Sequence, residues 1–307
     1  MRANDVFDPE VYGARRGPLN CISDGRLMGT LYVVATPIGN LGDITARALE
    51  TLRSVDLIAA EDTRRTRQLL THFGIERPLI SYHAFNERSR REQLLEALMT
   101  GDVAIVTDAG TPAIADPAAD IVRAAHEGGF NVSPIPGPSS LAAAASVCGL
   151  IDGPFVMLGF LPRGGEERRS MIAKGFASGL PLILFESPNR VGETLQELYA
   201  VLGDRQASLM RELTKLHEEV VLGPLSALAE RYRDQAPRGE IVIAIAGGSA
   251  TESTEDPEAV LRGLLATGMK ASIAAKEAAT LTGLPRSELY AMAQRVKAET
   301  DQAGKTR

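Results

Sequence analysis

Short apolar runs alternate with longer amphipathic segments along residues 30–150, and most of these runs end in Gly, Pro or an acidic residue. Runs of about four to eight apolar residues bounded by turn residues are typical of buried strands, and the segments between them are long enough for helices. The pattern predicts strands over residues 30–35, 56–60, 79–81, 103–107 and 130–135. Strands that alternate with helices form a mostly parallel sheet with right-handed connections.

A second α/β segment follows, and its strands are predicted at residues 155–160, 182–185, 207–210, 219–222 and 240–246. Beyond an acidic, polar stretch, TESTEDPE, the remaining residues predict two or three helices. The predicted organisation is a flexible extension over 1–28, an N-terminal α/β domain over 29–149, a C-terminal α/β domain over 150–247, a linker over 248–257 and a helical tail over 258–307.

Composition narrows the possible functions. Hydrophobic residues make up 44% of the chain and charged residues 23%, which is typical of a globular protein. No apolar run reaches the roughly 18 residues of a membrane span, and the first 28 residues lack the apolar region of a secretory signal. We therefore expect a cytoplasmic protein. Two distant cysteines and four scattered histidines give no metal-ligand spacing, so no metal is expected.

The charge distribution bears on nucleic-acid binding. The net charge of -6 argues against capture of nucleic acid by the whole surface, and the lack of Trp argues against a stacking platform. Residues 258–307, however, carry eight basic and five acidic residues. A basic helical tail on an acidic body indicates an accessory nucleic-acid contact, with Lys270 and Lys276 as candidates; a solvated helical cap explains the same pattern.

Turn-rich loops follow the predicted strands, and the most informative is VAIVTDAGTPAIADP at residues 103–117. Ligands of α/β sheets bind beyond the carboxyl ends of the strands. Asp108, Thr111, Ser139 and Ser140 could give directed hydrogen bonds to a small molecule. Ordinary strand-to-helix connections and helix caps explain these residues equally well. The sequence GNLG does not match the dinucleotide fingerprint, and no Walker A, HExxH or GxSxG motif occurs.

The segments LYVVATPIGNLGDITARALETL, DLIAAEDTRRTRQLL, VTDAGTPAIADP, PIPGPSS, GFLPR, LFESPNR and RELTK occur in this order over residues 29–247. Together they resemble the tetrapyrrole methylase superfamily, and more narrowly its ribosomal RNA branch. The tail segment KASIAAKEAATLTGLPRSELY is similar to the C-terminal segment of that branch. Corrin-making relatives carry a GxGPGD-type first loop and a GDP motif. Here those places read TPIGNLGD and DAGTPAIADP, which disfavours a tetrapyrrole substrate.

The resemblance implies a two-lobed α/β fold with S-adenosylmethionine in the cleft between the lobes, usually in a homodimer. It implies methylation of a cytidine ribose 2'-hydroxyl in small-subunit (16S) ribosomal RNA at the decoding centre, with that RNA or the 30S subunit as partner. The residues that the resemblance places at the cofactor are Pro37, Asp108, Ala109, Gly110, Thr111, Pro112, Asp116, Pro138, Ser139, Ser140, Phe160 and Leu161.

Transfer of a methyl group to a ribose hydroxyl needs alignment and a group that accepts the hydroxyl proton. The candidate bases are Glu61, Asp62 and Glu186. The candidate contacts to RNA phosphates are Arg64, Arg65, Arg88, Arg190, Arg211, Lys215, Lys270 and Lys276. Salt bridges within the protein explain several of these charges equally well. A methylase of a small tetrapyrrole precursor and a non-catalytic RNA-binding assembly factor remain as alternatives.

Overall fold

The computed structural model describes residues 22–23, 26–84, 86–248, 257–266, 269–282 and 286–303. The strands are β1 Ile22–Ser23, β2 Arg26–Leu27, β3 Thr30–Val34, β4 Leu57–Ala60, β5 Leu79–Ser81, β6 Val103–Val106, β7 Asn131–Ile135, β8 Val156–Phe160, β9 Leu182–Glu186, β10 Gln206–Arg211, β11 Glu219–Pro224 and β12 Ile241–Ile245. The helices are α1 Ala46–Ser54, α2 Thr63–His72, α3 Glu87–Leu98, α4 Ala118–Glu127, α5 Ser140–Val147, α6 Gly165–Phe176, α7 Val191–Leu202, α8 Leu225–Arg231, α9 Pro257–Ala266, α10 Ala271–Thr282 and α11 Arg286–Ala303.

The first sheet has the order β5-β4-β6-β3-β7, and its neighbouring strands are all parallel. β6 lies at the centre of this sheet and all four of its residues are buried. A central parallel strand is covered on both faces, which explains its uninterrupted apolar sequence. Two apolar clusters pack on the sheet: one contains Ile105 and Ile121, and the other contains Ile58 and Leu52. The predicted parallel α/β sheet is confirmed.

The second sheet has the order β11-β10-β12-β9-β8. β8 and β9 are parallel, whereas β9, β12, β10 and β11 pair antiparallel in turn. β12 is the central strand, and all its residues are buried. Leu158, Leu184 and Ile243 share a core cluster with Leu195 of α7 and Leu228 of α8. Both sheets therefore place helices over apolar strand faces, as the two-lobed α/β prediction required.

The chain divides into two units. One contains the residues up to Ala143 together with Leu213–His217, and the other contains Ala144–Glu212 with the residues from Glu218 onward. The short segment Leu213–His217 thus belongs with the first sheet although its neighbours in sequence belong with the second. The domain boundaries given above, at 149/150 and around the linker over 248–257, stay predictions. Residues 249–256 of that linker lie outside the described residues.

The extension predicted over 1–28 includes two short described strands and one buried residue. β1 and β2 pair antiparallel, and Met28 is buried in the core of the first sheet. Met28 is apolar and lies two residues before β3, and it shares a core cluster with Leu31 of that strand. The rest of the predicted extension, 1–21 and 24–25, lies outside the described residues.

Helices α9, α10 and α11 pack on one another around Leu261, Ala274, Ala278, Leu289 and Ala293. Small alanine side chains at this contact allow close approach of the helices. Residues 283–285, between α10 and α11, lie outside the described residues. None of the helices in the described ranges has the length and apolar character that a membrane crossing requires.

Candidate active site

The loops that follow β3 and β6 are joined by two backbone hydrogen bonds. The Thr36 amide donates to the Gly110 carbonyl at 2.9 Å, and the Gly110 amide donates to the Thr36 carbonyl at 3.0 Å. Gly110 has φ +85°, and a Cβ built there would lie 3.3 Å from Cγ2 of Ile38. The left-handed backbone and the close side chain both favour glycine at this position. The bridge fixes the DAGTP loop at the carboxyl end of the sheet.

Glu61 lies directly after β4, beside this loop. The Thr107 hydroxyl donates to Oε2 of Glu61 at 2.6 Å, and the Asp108 amide donates to the same oxygen at 3.3 Å. The other oxygen, Oε1, has no hydrogen bond to the described part of the chain. Glu61 is therefore a partly buried carboxylate, held in place through one oxygen, whose second oxygen is available for a ligand.

Asp62 has a different role, because it caps helix α2. Its Oδ1 accepts the Arg64 amide at 2.8 Å, and its Oδ2 pairs with the Arg64 guanidinium at 2.8 Å. These hydrogen bonds lower the pKa of Asp62 to about 2, with the Arg64 side chain as the largest cause. Both oxygens are engaged, so Asp62 is less suited than Glu61 to accept a proton.

Asp108 connects the two acidic residues to the arginines of α2. Its Oδ1 accepts the Asp62 amide at 2.9 Å, and its Oδ2 lies 3.4 Å from the guanidinium of Arg65. Burial, and then the nearby charge of Glu61, raise the pKa of Asp108 above its ordinary value. Arg65 is largely exposed, so its ion pair offsets this effect only weakly.

This raised pKa gives a prediction for stability. The folded protein binds the Asp108 proton more tightly than the unfolded chain does, so the stability that this proton provides is lost as the pH rises through the raised pKa. We expect Asp108→Asn, which keeps the acceptor for the Asp62 amide, to be at least as stable as the native protein at neutral pH. Thermal unfolding from about pH 4 to pH 8 tests this and should show a weaker pH dependence in the variant. A less stable variant at neutral pH would mean that the ion pair to Arg65 outweighs the burial of the charge.

The remaining predicted cofactor residues of this loop have two kinds of environment. The amides of Ala109 and Thr111 have no hydrogen-bond partner among the described residues, and both residues are partly exposed. They can bind a ligand through the backbone. Asp116, in contrast, accepts the amides of Ala113 and Ala118. Pro112 is buried. Asp116 thus shapes the loop, in which Ala113 has φ +69°.

The PGPSS turn lies next to the DAGTP loop. The Thr111 hydroxyl donates to the Pro138 carbonyl at 3.1 Å. The Ser139 hydroxyl accepts the Ala142 amide at 3.5 Å, and Ser140 is the first residue of α5. The structure therefore joins the DAGTP loop to the PGPSS turn within the first unit, through the Thr111 hydroxyl and the Pro138 carbonyl.

A cavity of about 350 Å³ opens beside these loops. It is lined by the turn over residues 36–41, which includes Pro37, by the face of α2 from Arg65 to His72, and by Thr107 and Asp108. The turn also contacts the Leu213–His217 segment: a Cβ built on Gly39 would lie 2.3 Å from Cγ of Lys215. Glycine at 39 permits this contact, which brings the predicted RNA contact Lys215 to the first unit.

Glu186 ends β9 within the second unit and is completely buried. Its Oε2 accepts the Thr194 hydroxyl at 2.6 Å and lies 3.7 Å from the Arg168 guanidinium; its Oε1 accepts the Ser187 amide at 2.8 Å. Arg190 adds a second ion pair at 3.5 Å. Both oxygens are occupied, so the geometry favours a structural charge over the proton acceptor predicted from the sequence.

The same network holds the segment that follows β8. Arg168 donates to the Pro162 carbonyl at 3.0 Å, and Arg190 donates to the carbonyls of Leu161 and Pro162 at 3.1 and 2.8 Å. Leu161 is buried, whereas Phe160 is exposed, with its ring 5.5 Å from that of Phe185. The Arg190 side chain is thus committed to protein carbonyls rather than available for RNA phosphate.

The other predicted RNA contacts differ in availability. Arg88 is exposed in the first turn of α3, and the described residues offer it no partner. Arg211 pairs with Glu219 across neighbouring strands, and Glu219 also pairs with Arg231. The hydrogen bond from Arg211 is the largest cause of the lowered pKa of Glu219. Lys270 and Lys276 are both exposed in the helical tail.

Sequence reasoning missed Arg168, which reads as part of the charged run GGEERR. The buried residues of α6 are Arg168, Ile172 and Gly175. Arg168 therefore occupies the first position of the buried face, at helical spacing from the other two. That spacing was the available signal for a buried arginine. The residues of α2 that line the cavity, Gln68 and Leu69 among them, carried no comparable signal.

Two comparisons bear on this fold. The chain matches the tetrapyrrole (corrin/porphyrin) methylases over residues 30–229. Solved structures with the same fold include diphthine synthase, with a TM-score of 0.56 and 18% identity over 71% of this chain and 90% of that one. Another is cobalt precorrin-4 methyltransferase, with a TM-score of 0.54 and 18% identity over 71% and 94% of the two chains. The fold is thus that of the tetrapyrrole methylase class.

Closer relatives narrow the class. A Synechocystis protein, ribosomal RNA small subunit methyltransferase I, is 43% identical over 89% of this chain and 100% of its own length. Proteins with the same name from Xylella fastidiosa and Thermotoga maritima are 45% and 43% identical, over 85% and 72% of this chain. Residues 251–297 match the RsmI C-terminal HTH domain. The chain belongs to the tetrapyrrole methylase family and, within it, to the ribosomal RNA small subunit methyltransferase I family.

Proposed function

We propose that this protein transfers a methyl group from S-adenosylmethionine to the 2'-hydroxyl of a cytidine in small-subunit (16S) ribosomal RNA, at the decoding centre. The observation that carries the proposal is the 43–45% identity to the Synechocystis and Xylella relatives of that name, over at least 98% of their length. We also propose that it acts in the cytoplasm as a homodimer, which is the arrangement that the family resemblance implies.

The residues of the first unit suit such a cofactor. The unpartnered amides of Ala109 and Thr111 can donate to a carboxylate or an adenine ring, and the carboxylates of Glu61 and Asp108 favour a nearby sulfonium or ammonium group. S-adenosylmethionine supplies an electrophilic methyl group when it is bound. We assign its direct contacts to the loop 109–112 and the turn 138–140. The roles of Phe160 and Leu161 stay predictions from the resemblance.

The chain's own part in the reaction is to orient the ribose hydroxyl and to remove its proton. Positioning of reactants as near-attack conformers contributes about 7–11 kcal/mol in favourable cases. Glu61 is the proposed general base, because one oxygen is fixed by Thr107 and the other is available. Proton acceptance by a positioned carboxylate contributes roughly 10²–10⁴-fold.

The exposed arginines of the first unit are the proposed contacts to RNA phosphates. Arg64, Arg65 and Arg88 are all exposed, and guanidinium groups bind phosphate oxygens in bidentate geometry. Lys215 lies near the turn over residues 36–41, and Lys270 and Lys276 extend the basic surface of the tail. We propose these residues, rather than Arg190 and Arg211, as the phosphate contacts.

Labelled methyl transfer tests the proposed function. Purified protein is incubated with S-adenosylmethionine labelled in the methyl group and with assembled small subunits, naked small-subunit RNA or large-subunit RNA as acceptor. We expect label only in the small-subunit samples, recovered after digestion as 2'-O-methylcytidine. Calorimetry on the same preparation measures cofactor binding separately.

Two other outcomes of this experiment would reject the proposal. Transfer to a tetrapyrrole precursor, with none to RNA, would identify a small-molecule methylase. Cofactor uptake without transfer to any acceptor, while the small subunit is still bound, would identify an RNA-binding assembly factor that retains the fold.

A further inference from the structure

The cavity beside α2 is only partly explained by the proposed cofactor site. Of its lining, Pro37 and Asp108 belong to the predicted cofactor residues, whereas the face of α2 from Arg65 to His72 does not. Its volume of about 350 Å³ lies at the lower end of the roughly 300–1,000 Å³ typical of small-molecule pockets. A cavity of this size suits one nucleoside rather than a longer stretch of RNA.

The lining has the chemistry of a base-recognition pocket. Pro37, Leu41 and Leu69 give apolar surfaces for a base plane. The side-chain amide of Gln68 makes no hydrogen bond within the described part of the chain. The Asp108 carboxylate reaches the cavity wall, and its 3.4 Å contact with Arg65 is too long for a strong hydrogen bond. The Asp108 carboxylate can only accept hydrogen bonds, whereas the Gln68 side-chain amide can donate them. Together they match the edge of a base that carries an amino group beside ring acceptors.

The location also fits an extruded nucleotide. Enzymes that act on one nucleotide of a structured nucleic acid take its base out of the stack and hold it in a pocket. Thr107 and Asp108, which line the cavity, are the two residues that donate hydrogen bonds to Glu61. The exposed guanidinium of Arg65 stands at the same cavity, where a phosphate flanking the base can pair with it.

We propose that this cavity binds the base of the methylated nucleotide, a pyrimidine with an exocyclic amino group. The Asp108 carboxylate accepts a hydrogen bond from that amino group, and the Gln68 amide donates to a ring acceptor. This inference rests on the proposed function and deepens it, because it assigns a base-reading role to residues that the family resemblance leaves to the cofactor or leaves without a role.

Filling the cavity tests the proposal. Gln68→Trp introduces a bulky side chain from an exposed position of α2, so the fold should be kept; Thr71→Trp, exposed on the same helix but not in the cavity lining, is the matched control. We expect Gln68→Trp to lower kcat/KM for small-subunit RNA about 100-fold, since a misplacement of about 1 Å has that effect. Affinity for S-adenosylmethionine, measured by calorimetry, should stay within about twofold in both variants.

A second measurement uses free nucleotides and does not depend on turnover. In an NMR titration, cytidine 5'-monophosphate should shift the amide resonances of α2. The concentration it needs should be about 5- to 150-fold lower than that of uridine 5'-monophosphate. Asp108→Asn should narrow this preference, because an amide can also donate to the carbonyl of uracil, and Gln68→Trp should abolish both shifts.

The outcomes separate this inference from the proposed function. If native protein methylates small-subunit RNA and Gln68→Trp does so equally well, the base pocket is wrong while the function stands. If Gln68→Trp loses cofactor binding, the cavity belongs to the cofactor and the inference is again wrong. If native protein transfers no methyl group, the proposed function fails, and the cytidine and uridine titrations alone decide whether the cavity reads a base.

Discussion

Arg168→Met is expected to lower the free energy of unfolding by about 3–5 kcal/mol, because it leaves the buried carboxylate of Glu186 without its main interior cation. The side chains of Arg168 and Glu186 are 2% and 0% exposed. The guanidinium also donates to the Thr194 hydroxyl at 2.7 Å and to the Pro162 carbonyl at 3.0 Å. Methionine has a similar length but satisfies none of these groups.

The neighbouring residue gives the control. Arg169 is on the same helix and exposed, so Arg169→Met should change stability by less than about 0.5 kcal/mol. Urea unfolding gives the overall change, and hydrogen exchange of the β9 amides, Leu182–Glu186, reports opening of the second sheet itself. Equal behaviour of the two variants would contradict a buried charge network.

The double variant Arg168→Met/Glu186→Leu tests how much of this loss comes from the orphaned Glu186 carboxylate, although Glu197 and Arg190 each lose an ion-pair partner in it. Replacing both partners of a buried ion pair by apolar residues often leaves the stability unchanged, whereas replacing only one partner lowers it strongly. We therefore expect the double variant to be more stable than Arg168→Met alone. The network also fixes the carbonyls of Leu161 and Pro162. Weaker cofactor binding in the double variant, despite recovered stability, would support the predicted place of Leu161 at the cofactor.

The fold was predictable because strand positions carry a strong signal. Buried central strands such as β6 and β12 are continuous apolar runs, and turn residues mark their ends. Strand direction was not encoded locally. The sequences of β10 and β12 are apolar runs like that of β9, yet these strands pair antiparallel with their neighbours. Direction depends on how the chain returns to the sheet, which no local pattern records.

The site was predictable only as a set of loops. Spacing placed Glu61, Asp62 and Glu186 at strand ends but could not rank them, because the ranking depends on which oxygens are already engaged. Thr107, which is distant in sequence from Glu61, engages only one oxygen of Glu61. Thr194 and Arg168 engage the buried carboxylate of Glu186. The Leu213–His217 segment likewise contacts the first unit through Gly39, a tertiary contact that composition and periodicity do not reveal.

Glu61→Gln is expected to lower kcat for methyl transfer by roughly 10²–10⁴-fold, since the amide keeps the shape of the side chain but cannot accept the hydroxyl proton. The glutamine carbonyl can still accept the Thr107 hydroxyl, now 2.6 Å from the carboxylate, so the loop should keep its geometry. Single-turnover transfer to small-subunit RNA measures the chemical step, and calorimetry checks that cofactor affinity is unchanged.

The other two carboxylates provide the contrast that makes this result interpretable. Asp62→Asn should retain most of the turnover, because both Asp62 oxygens bind Arg64 rather than a ligand. Glu186→Gln should lose stability instead, since its oxygens lie inside the charge network. A large fall in kcat at Asp62 alone would move the base to the neighbouring residue. Full turnover in all three variants would mean that none of these three carboxylates accepts the proton, and that the proposed general base is wrong.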